Sequence, residues 1–338
     1  MSTSRVRAVA FLVAFLAAFA LPAVADAPTA ICYNCPPEWA DWVGQLKAFK
    51  TKSSIDVPAD NKNSGQAVAA MTAERASPVA DVVYYGVTFG MQAKDAGLTA
   101  PYKPAGWNDI PAGLKDPDGY WFAIHSGTLG FFVNTKALGG KPVPRAWSDL
   151  LKPEYKGLVG YLDPTSAFVG YVGAVAVNRA LGGSLNDFSP AIAYFQALRK
   201  NDARVPKQTS YALVLSGEIP ILLDYDFNAY RAKYNDHAPV DFVIPREGTL
   251  VVPYVMSLVK NAPHAGNGRK LLDFVLSDEG QRLWANAYMR PVRAGDTSAA
   301  ALSRFLPRTE YARATPIDFK AMAQAEKPFA QRYANEVP

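Results

Sequence analysis

Cys32 and Cys35 are the only cysteines of the chain, set at C-x-x-C spacing within "ICYNCPPEW". That spacing serves a redox centre, half of a metal site, or a staple across a loop. The redox option draws on the adjoining residues: Pro36 and Pro37 suit the first turn of a helix, and a helix N-terminus beside a thiol lowers its pKa. A metal site does not assemble, because His125, His237 and His264 are the only histidines and none has ligand or triad spacing to another candidate. His125, beside Ser126 at a break in an extended stretch, either faces a cleft or is a hydrogen-bonded structural residue. No G-x-S-x-G, H-E-x-x-H or phosphate-loop pattern occurs. No catalytic residue and no cofactor is therefore assigned.

Residues suited to holding a solute are easier to find. Three turns lead from a predicted strand into a predicted helix: Tyr33-Asn34, Asn63-Ser64-Gly65 and Thr165-Ser166. Helix N-termini present unpaired N–H groups and a partial positive charge, so polar residues there suit an anion. Each is also an ordinary helix cap, and Ser64 is the expected cap of "QAVAAMTAERA". A fourth turn, in "LLDYDFNAYRAKY", delivers Tyr225, Asp226, Phe227 and Asn228 at the end of an apolar strand. There Asp226 is either a helix cap with Tyr230 packing below it or, with Asp224, an acceptor for amines and hydroxyls in a cleft. Ser126 and Tyr254, on two long extended stretches near 123–134 and 248–258, complete the candidate set.

The elements that must position these residues follow from periodicity. "TAICYN", "SSIDVPA" and "ADVVYYG" read as strands alternating with the helices "EWADWVGQLKAFK" and "QAVAAMTAERA", an α/β pattern with a mainly parallel sheet. A second α/β unit starts at "AWSDLLKPEYKGLVGYLDP" as helix then strand, and continues through the helices "AFVGYVGAVAVNRAL" and "AIAYFQALRKN" and the strand "EIPILLDY". "GNGRKLLDFVLSDEGQRLWANAY" keeps helical spacing throughout, and the tail after Pro291 reads as loosely packed surface helix. The fold class is α/β, two doubly wound lobes joined by two crossover strands. Residues 28–125 and 254–338 form a discontinuous lobe 1, and 126–253 form lobe 2. Ligands bind in the cleft between such lobes.

Arg5, Arg7, an apolar run to Ala20 and small residues around Ala25 and Ala27 have the anatomy of a cleaved export signal, 1–27, which directs the chain to the periplasm. In that compartment two cysteines most simply pair. A net charge of +5 without a Lys/Arg cluster argues against nucleic acid.

The chain resembles the periplasmic substrate-binding proteins of ABC importers, in the two-crossover group of ferric-iron, thiamine, polyamine and 2-aminoethylphosphonate binders. The resemblance rests on "NSGQAVAAMTAERASPVADVVYYG", "GYWFAIHSGTLGFFVNTKAL", "WSDLLKPEYKGLVGYLDPTSAFVGY", "SGEIPILLDYDFNAYRAK" and "GRKLLDFVLSDEGQRLWANAYMRPVR". It implies a type 2 periplasmic-binding fold, a monomer that captures a small solute without catalysis, and delivery to a membrane permease driven by a separate ATPase. The ferric branch places two adjacent tyrosines where this chain has Phe227 and Asn228, and an Arg after the crossover Ser-Gly where it has Thr128. The "DPTS" turn at 163–166 is similar to the phosphonate and organophosphate branch. A small organic solute with a phosphonate- or phosphate-type group is therefore expected, with a cationic polyamine or thiamine, or ferric iron, as the alternative. Outside the family, the rival is a periplasmic thiol–disulfide oxidoreductase built on Cys32 and Cys35.

Overall fold

The computed structural model of the chain describes residues 28–207, 210–293 and 302–337. The expected export signal, 1–27, lies outside the described residues.

A single curled sheet runs through the molecule in the order β1-β2-β8-β4-β6-β5. Its frame is two long strands, β4 (Phe122–Asn134) and β8 (Thr249–Val259), almost wholly buried as expected of strands covered on both faces. β4 pairs antiparallel with β8 from Phe122 to Thr128, with a bulge between Ala123 and His125. From Leu129 to Val133 it instead pairs antiparallel with β6 (Ile221–Tyr225). The change of partner between Thr128 and Leu129 divides the sheet into two halves. On one side lie β1 (Cys32–Tyr33) and β2 (Val82–Gly86), and on the other β5 (Val159–Gly160) and β7 (Val240–Val243). Among the described strands only the outer pairs β1/β2 and β5/β6, and β10 (Ala314–Thr315) on β8, are parallel, so the expected mainly parallel sheet is antiparallel along its spine. The short β3 (Thr99–Ala100) and β9 (Arg290–Pro291) border β8 and β4.

Helices cover both halves. Around the first are α1 (Trp42–Ser53), α2 (Ser64–Ala73), α3 (Val87–Asp95), α8 (Ala265–Leu276) and α9 (Asp278–Asn286). Around the second are α4 (Phe168–Ala180), α5 (Ser189–Lys200), α6 (Tyr211–Ser216) and α7 (Asp226–Tyr234). Eleven of the thirteen α4 residues are buried, so this Gly- and Ala-rich helix is a spine surrounded on all sides rather than a surface element. The first half's core centres on Trp42, Tyr84 and Trp284, whose rings meet edge to face at 5.1 Å.

Several elements differ from expectation for local reasons. "SSIDVPA" keeps only the bridge Thr29↔Asp56, because α1 runs through Ser53 and is closed by Ser54 in the left-handed region, and Pro58 follows. "AWSDLLKPEY" is two 3-10 turns, Trp147–Leu151 and Pro153–Tyr155, since Pro153 cannot donate to a longer helix. The long run at 266–288 breaks at Ser277, whose hydroxyl caps α9 by accepting from Gly280 N at 3.2 Å. α1 starts at Trp42, with Ala40 and Asp41 at φ 51° and 50°, so Trp39 lies in the preceding turn. The tail is not loose: after α10 (Arg308–Tyr311), α11 (Phe319–Glu336) buries Met322, Glu326, Phe329 and Tyr333. Phe305 and Tyr311 pack on Tyr230, and α11 packs on α3 and α5.

Candidate functional site

The N-termini of α2 and α4, one from each half of the molecule, converge on one cavity of about 40 Å³, room for a few water molecules. At α2, Asn63 is the cap in place of the expected Ser64. Its Oδ1 accepts from Gln66 N and its own N–H donates to Gln66 Oε1, both at 2.9 Å. Ser64 is thereby free to accept from Gly86 N at 3.2 Å, tying the turn to the end of β2. α4 begins after Ala167 with no side-chain cap, so the orphan N–H groups of its first turn, at Phe168 and Val169, remain beside the cavity. Both helix dipoles place partial positive charge there. Lys62 is the only charged side chain on the lining; its Nζ lies 2.5 Å from Asp60 and 4.0 Å above the Tyr33 ring.

The two halves touch directly beside this cavity. Gly65 N donates across the seam to the Ser166 carbonyl at 2.9 Å. A Cβ on Gly65 would stand 2.6 Å from that oxygen, and one on Gly86 would stand 1.9 Å from the Phe168 ring. Both glycines are required by close approach, not by an unusual φ.

Aromatic rings form the remaining wall. Trp39 and Tyr254 line the cavity with Phe168, whose ring meets Tyr254 edge to face at 5.4 Å. Behind them, Trp39 Nε1 donates to the Tyr84 hydroxyl at 3.0 Å, and that hydroxyl lies 2.9 Å from His125 Nε2. Tyr254 stacks on both Tyr84 and His125, at 5.0 and 5.5 Å. Burial pushes the His125 pKa down to about 3, so the ring stays neutral and structural. Tyr225 and Phe227 stack on each other at 5.4 Å and support Trp39 from beneath.

Four of the residues singled out by sequence line this cavity: Asn34, Asn63, Ser64 and Tyr254. Asn34 is held at φ 62° with its amide on the Tyr84 carbonyl at 2.7 Å. Gly65 and Ser166 make the seam, and Tyr225 and Phe227 form the layer behind the wall. The others lie elsewhere. Tyr33 is buried beneath Lys62 and donates to Glu74 at 2.8 Å. Thr165 is exposed and bonded to Asp163 at 2.7 Å, and Ser126 pairs with Pro253 and Arg290 across the ladder. Asp226 is neither the α7 cap, which is Tyr225, nor a cleft acceptor. It accepts from Thr128 N at 3.0 Å, Arg290 at 2.7 Å and Tyr311 at 2.9 Å. Asn228 donates to Asp224 at 3.1 Å, and burial pushes that carboxyl up to about 7. Sequence reasoning passed over Trp39, Asn61, Lys62 and Phe168. Trp39 fitted the apolar face of α1 and Phe168 the interior of α4, and an Asn-Lys-Asn run has no spacing signal.

A disulfide joins Cys32 and Cys35, with Cα atoms 5.8 Å apart and both residues fully buried. α1 starts only at Trp42, so no helix dipole acts on either sulfur and neither is accessible to a substrate. The redox reading loses both its supports. Among the described residues no group of His, Cys, Asp or Glu is poised to hold a metal ion.

Two halves sharing a curled sheet, with a polar and aromatic cavity at their seam, define a solute-binding protein of the two-lobe type. The model of a family described as bacterial extracellular solute-binding protein matches residues 77–320, and the chain belongs to that family. A protein of Salmonella typhimurium, named provisionally as a 2-aminoethylphosphonate-binding periplasmic protein, is 29% identical over 75% of this chain and 74% of its own. The major ferric iron-binding protein of Neisseria gonorrhoeae is 24% identical over 70% of this chain and 72% of its own. The periplasmic binding protein AfuA of Actinobacillus pleuropneumoniae, solved with exogenous fructose-6-phosphate bound, superposes with a TM-score of 0.76 at 24% identity, covering 92% of this chain and 98% of that one. The fold is that of the two-lobe periplasmic binding proteins. These relatives are named as binding proteins, and the chain is a solute-binding protein of that family.

Proposed function

We propose that this protein captures, in the periplasm, a small organic anion bearing a phosphonate or phosphate group and hands it to an inner-membrane permease with its ATPase. The observation that carries the solute class is the convergence of two helix N-termini on a cavity whose lining has no carboxylate, with Lys62, paired to Asp60, at its edge. The oxyanion would take the free amides at the start of α4, with Asn63 and Ser64 beside them. The body of the solute would lie against Trp39, Tyr254 and Phe168. A purely cationic solute finds less support, because Asp226 is consumed by Arg290 and Asp224 is enclosed with Asn228. Ferric iron finds less support too, since burial, with the nearby Asp224 carboxylate adding to it, holds the Tyr225 and Tyr254 hydroxyls in the phenol form. One second reading has an observation of its own: the ammonium of an aminoalkylphosphonate can rest on the faces of Trp39 and Tyr254.

The lobes in this proposal are 28–128 with 251–293, and 129–250 with 302–337, the C-terminal segment going with lobe 2 because of its contacts to Tyr230, α4 and α5. Capture would proceed by opening at the Gly65–Ser166 seam and closing over the solute, by a single chain acting as a monomer. Calorimetric titration with ethylphosphonate, 2-aminoethylphosphonate, hexose phosphates, putrescine, thiamine and ferric citrate tests the reading. Binding of the phosphorus anions, at least tenfold weaker in Lys62→Ala, is the expected result, a loss of about 1.4 kcal/mol or more. Binding of the cations or ferric citrate alone would overturn it. The 2-aminoethyl over ethyl preference decides between an aromatic-faced ammonium and a neutral body.

A further inference from the structure

The C-terminal helix α11 (Phe319–Glu336) crosses the seam between the lobes and meets both of them. Its last turns are anchored on lobe 2: Phe329 lies 4.7 Å from Phe188, and the Tyr333 and Tyr161 hydroxyls are 2.8 Å apart. The Tyr171 hydroxyl of α4 also donates to the Met322 carbonyl at 2.7 Å. Toward lobe 1 the contact is polar. Glu326, 6% exposed, accepts from Gln92 of α3 at 2.8 Å, with Thr88 of the same helix beside it. The Glu326 contact to lobe 1 is thus flanked on both sides by attachments to lobe 2, at Met322 and at Phe329.

We propose that α11 is a strap that travels with lobe 2 and latches lobe 1 in the closed form through Glu326 on α3. A buried carboxylate without a cation is a poor permanent packing group, for which an apolar residue would serve better. It suits a contact that must part, because it is readily hydrated once exposed. The latch lies on the seam where Gly65 meets Ser166 and where Phe89, also of α3, meets Phe168 at 6.4 Å. The proposal rests on lobe closure and not on the class of solute.

Closure by this route takes up a proton. Burial, the largest influence, pushes Glu326 from 4.5 up to about 7, and the nearby Thr88 hydroxyl and the Gln92 bond offset it only in part. No cation intervenes: on α3, Lys94 is paired with Asp116 and Asp95 is exposed, and on α11, Lys327 is exposed. On α4 the facing group is the Tyr171 phenol, which stays protonated. The closed form, with the higher pKa, is therefore favoured at low pH, and that preference is lost as pH rises through about 7.

Spin labels at Ala76→Cys on lobe 1 and Lys200→Cys on lobe 2 report the inter-lobe distance in the full chain, the native cysteines being paired. Expected is a fall of about tenfold in the closed-to-open ratio between pH 6 and 8. Glu326→Gln should abolish that dependence and stay closed, whereas Gln92→Ala should open the molecule at both pH values. Melting curves of each variant confirm that it is folded, and the mild Glu326→Gln exchange carries the test should Gln92→Ala melt early. A Glu326→Gln variant whose distances follow pH as the parent's do, or a distance unchanged by either substitution, would overturn the latch.

Discussion

Gly65 makes the sharpest demand of any single residue, because its amide must reach the Ser166 carbonyl and a methyl group would stand 2.6 Å from that oxygen. Two effects oppose each other in Gly65→Ala. Alanine favours α2 by about 0.5–1 kcal/mol, so the unliganded protein should melt no lower than the parent. The seam, however, can no longer close, and affinity for the bound anion should fall by about tenfold, equivalent to about 1.4 kcal/mol. Titration calorimetry beside a thermal melt reads both, and unchanged affinity would mean that closure does not run through this seam. Asp226 makes a demand of another kind. It anchors α7 to Thr128, Arg290 and Tyr311, so Arg290→Ala leaves a buried carboxylate unpaired and should cost about 3–5 kcal/mol in urea unfolding. Asp226→Asn should cost clearly less, since it removes the charge together with the ion pair. Equal losses would show that the hydrogen bonds outweigh the charge.

At the scale of elements, the disulfide turn shows what a sequence can and cannot convey. The spacing of Cys32 and Cys35 was visible, but which chemistry it served depended on where α1 starts. The left-handed Ala40 and Asp41 delay that start to Trp42. The same delay moved Trp39 out of an amphipathic pattern and into the cavity wall, where no periodicity marks it. Strands and helices set by strong local pattern, Val82–Gly86, Ser189–Lys200 and Ile221–Tyr225, were legible, as was the order of elements that carries the family. The antiparallel spine was not, because strand pairing is decided by which long strands cross between lobes and not by local propensity. Nor was the burial of α11, whose apolar residues Met322, Phe329 and Tyr333 are few and find partners far away in sequence. If the disulfide is a staple, Cys32→Ser with Cys35→Ser should lower stability by about 2 kcal/mol, the loop-entropy value for so short a ring. The fold should persist, and solute binding should weaken as Asn34 and Trp39 lose their support. A variant that binds fully while losing a thiol-exchange activity would restore the redox reading.

For the whole molecule, the two acids pushed up furthest lead the response to pH, with burial also raising Asp41. Asp224 and Glu326 are each pushed up to about 7 in the folded chain, from ordinary values of 3.8 and 4.5, with desolvation the largest cause in both. A folded-state pKa above the unfolded one means that the native state holds the proton more tightly. The contribution of each acid to stability is then complete below its ordinary value and is lost as pH rises through about 7. The carboxyls shifted the other way, Asp149, Asp187 and Glu336, are held below their ordinary range by Lys152, Ser189 and Arg332, and they titrate on the acid side of this window. Between pH 5 and 7 the buried pair therefore dominates, each acid removing at most about 1.4 kcal/mol per pH unit. Unfolding free energy should fall across that interval and level off above it. Asp224→Asn and Glu326→Gln should each remove part of the slope, and together most of it. The two effects should add, because Asp224 sits on β6 behind the cavity and Glu326 on the outer strap, with no shared partner. A stability that rises from pH 5 to 7 would mean that these carboxyls ionise freely in the folded chain, and that α11 and the β6 turn open to water more readily than their burial implies.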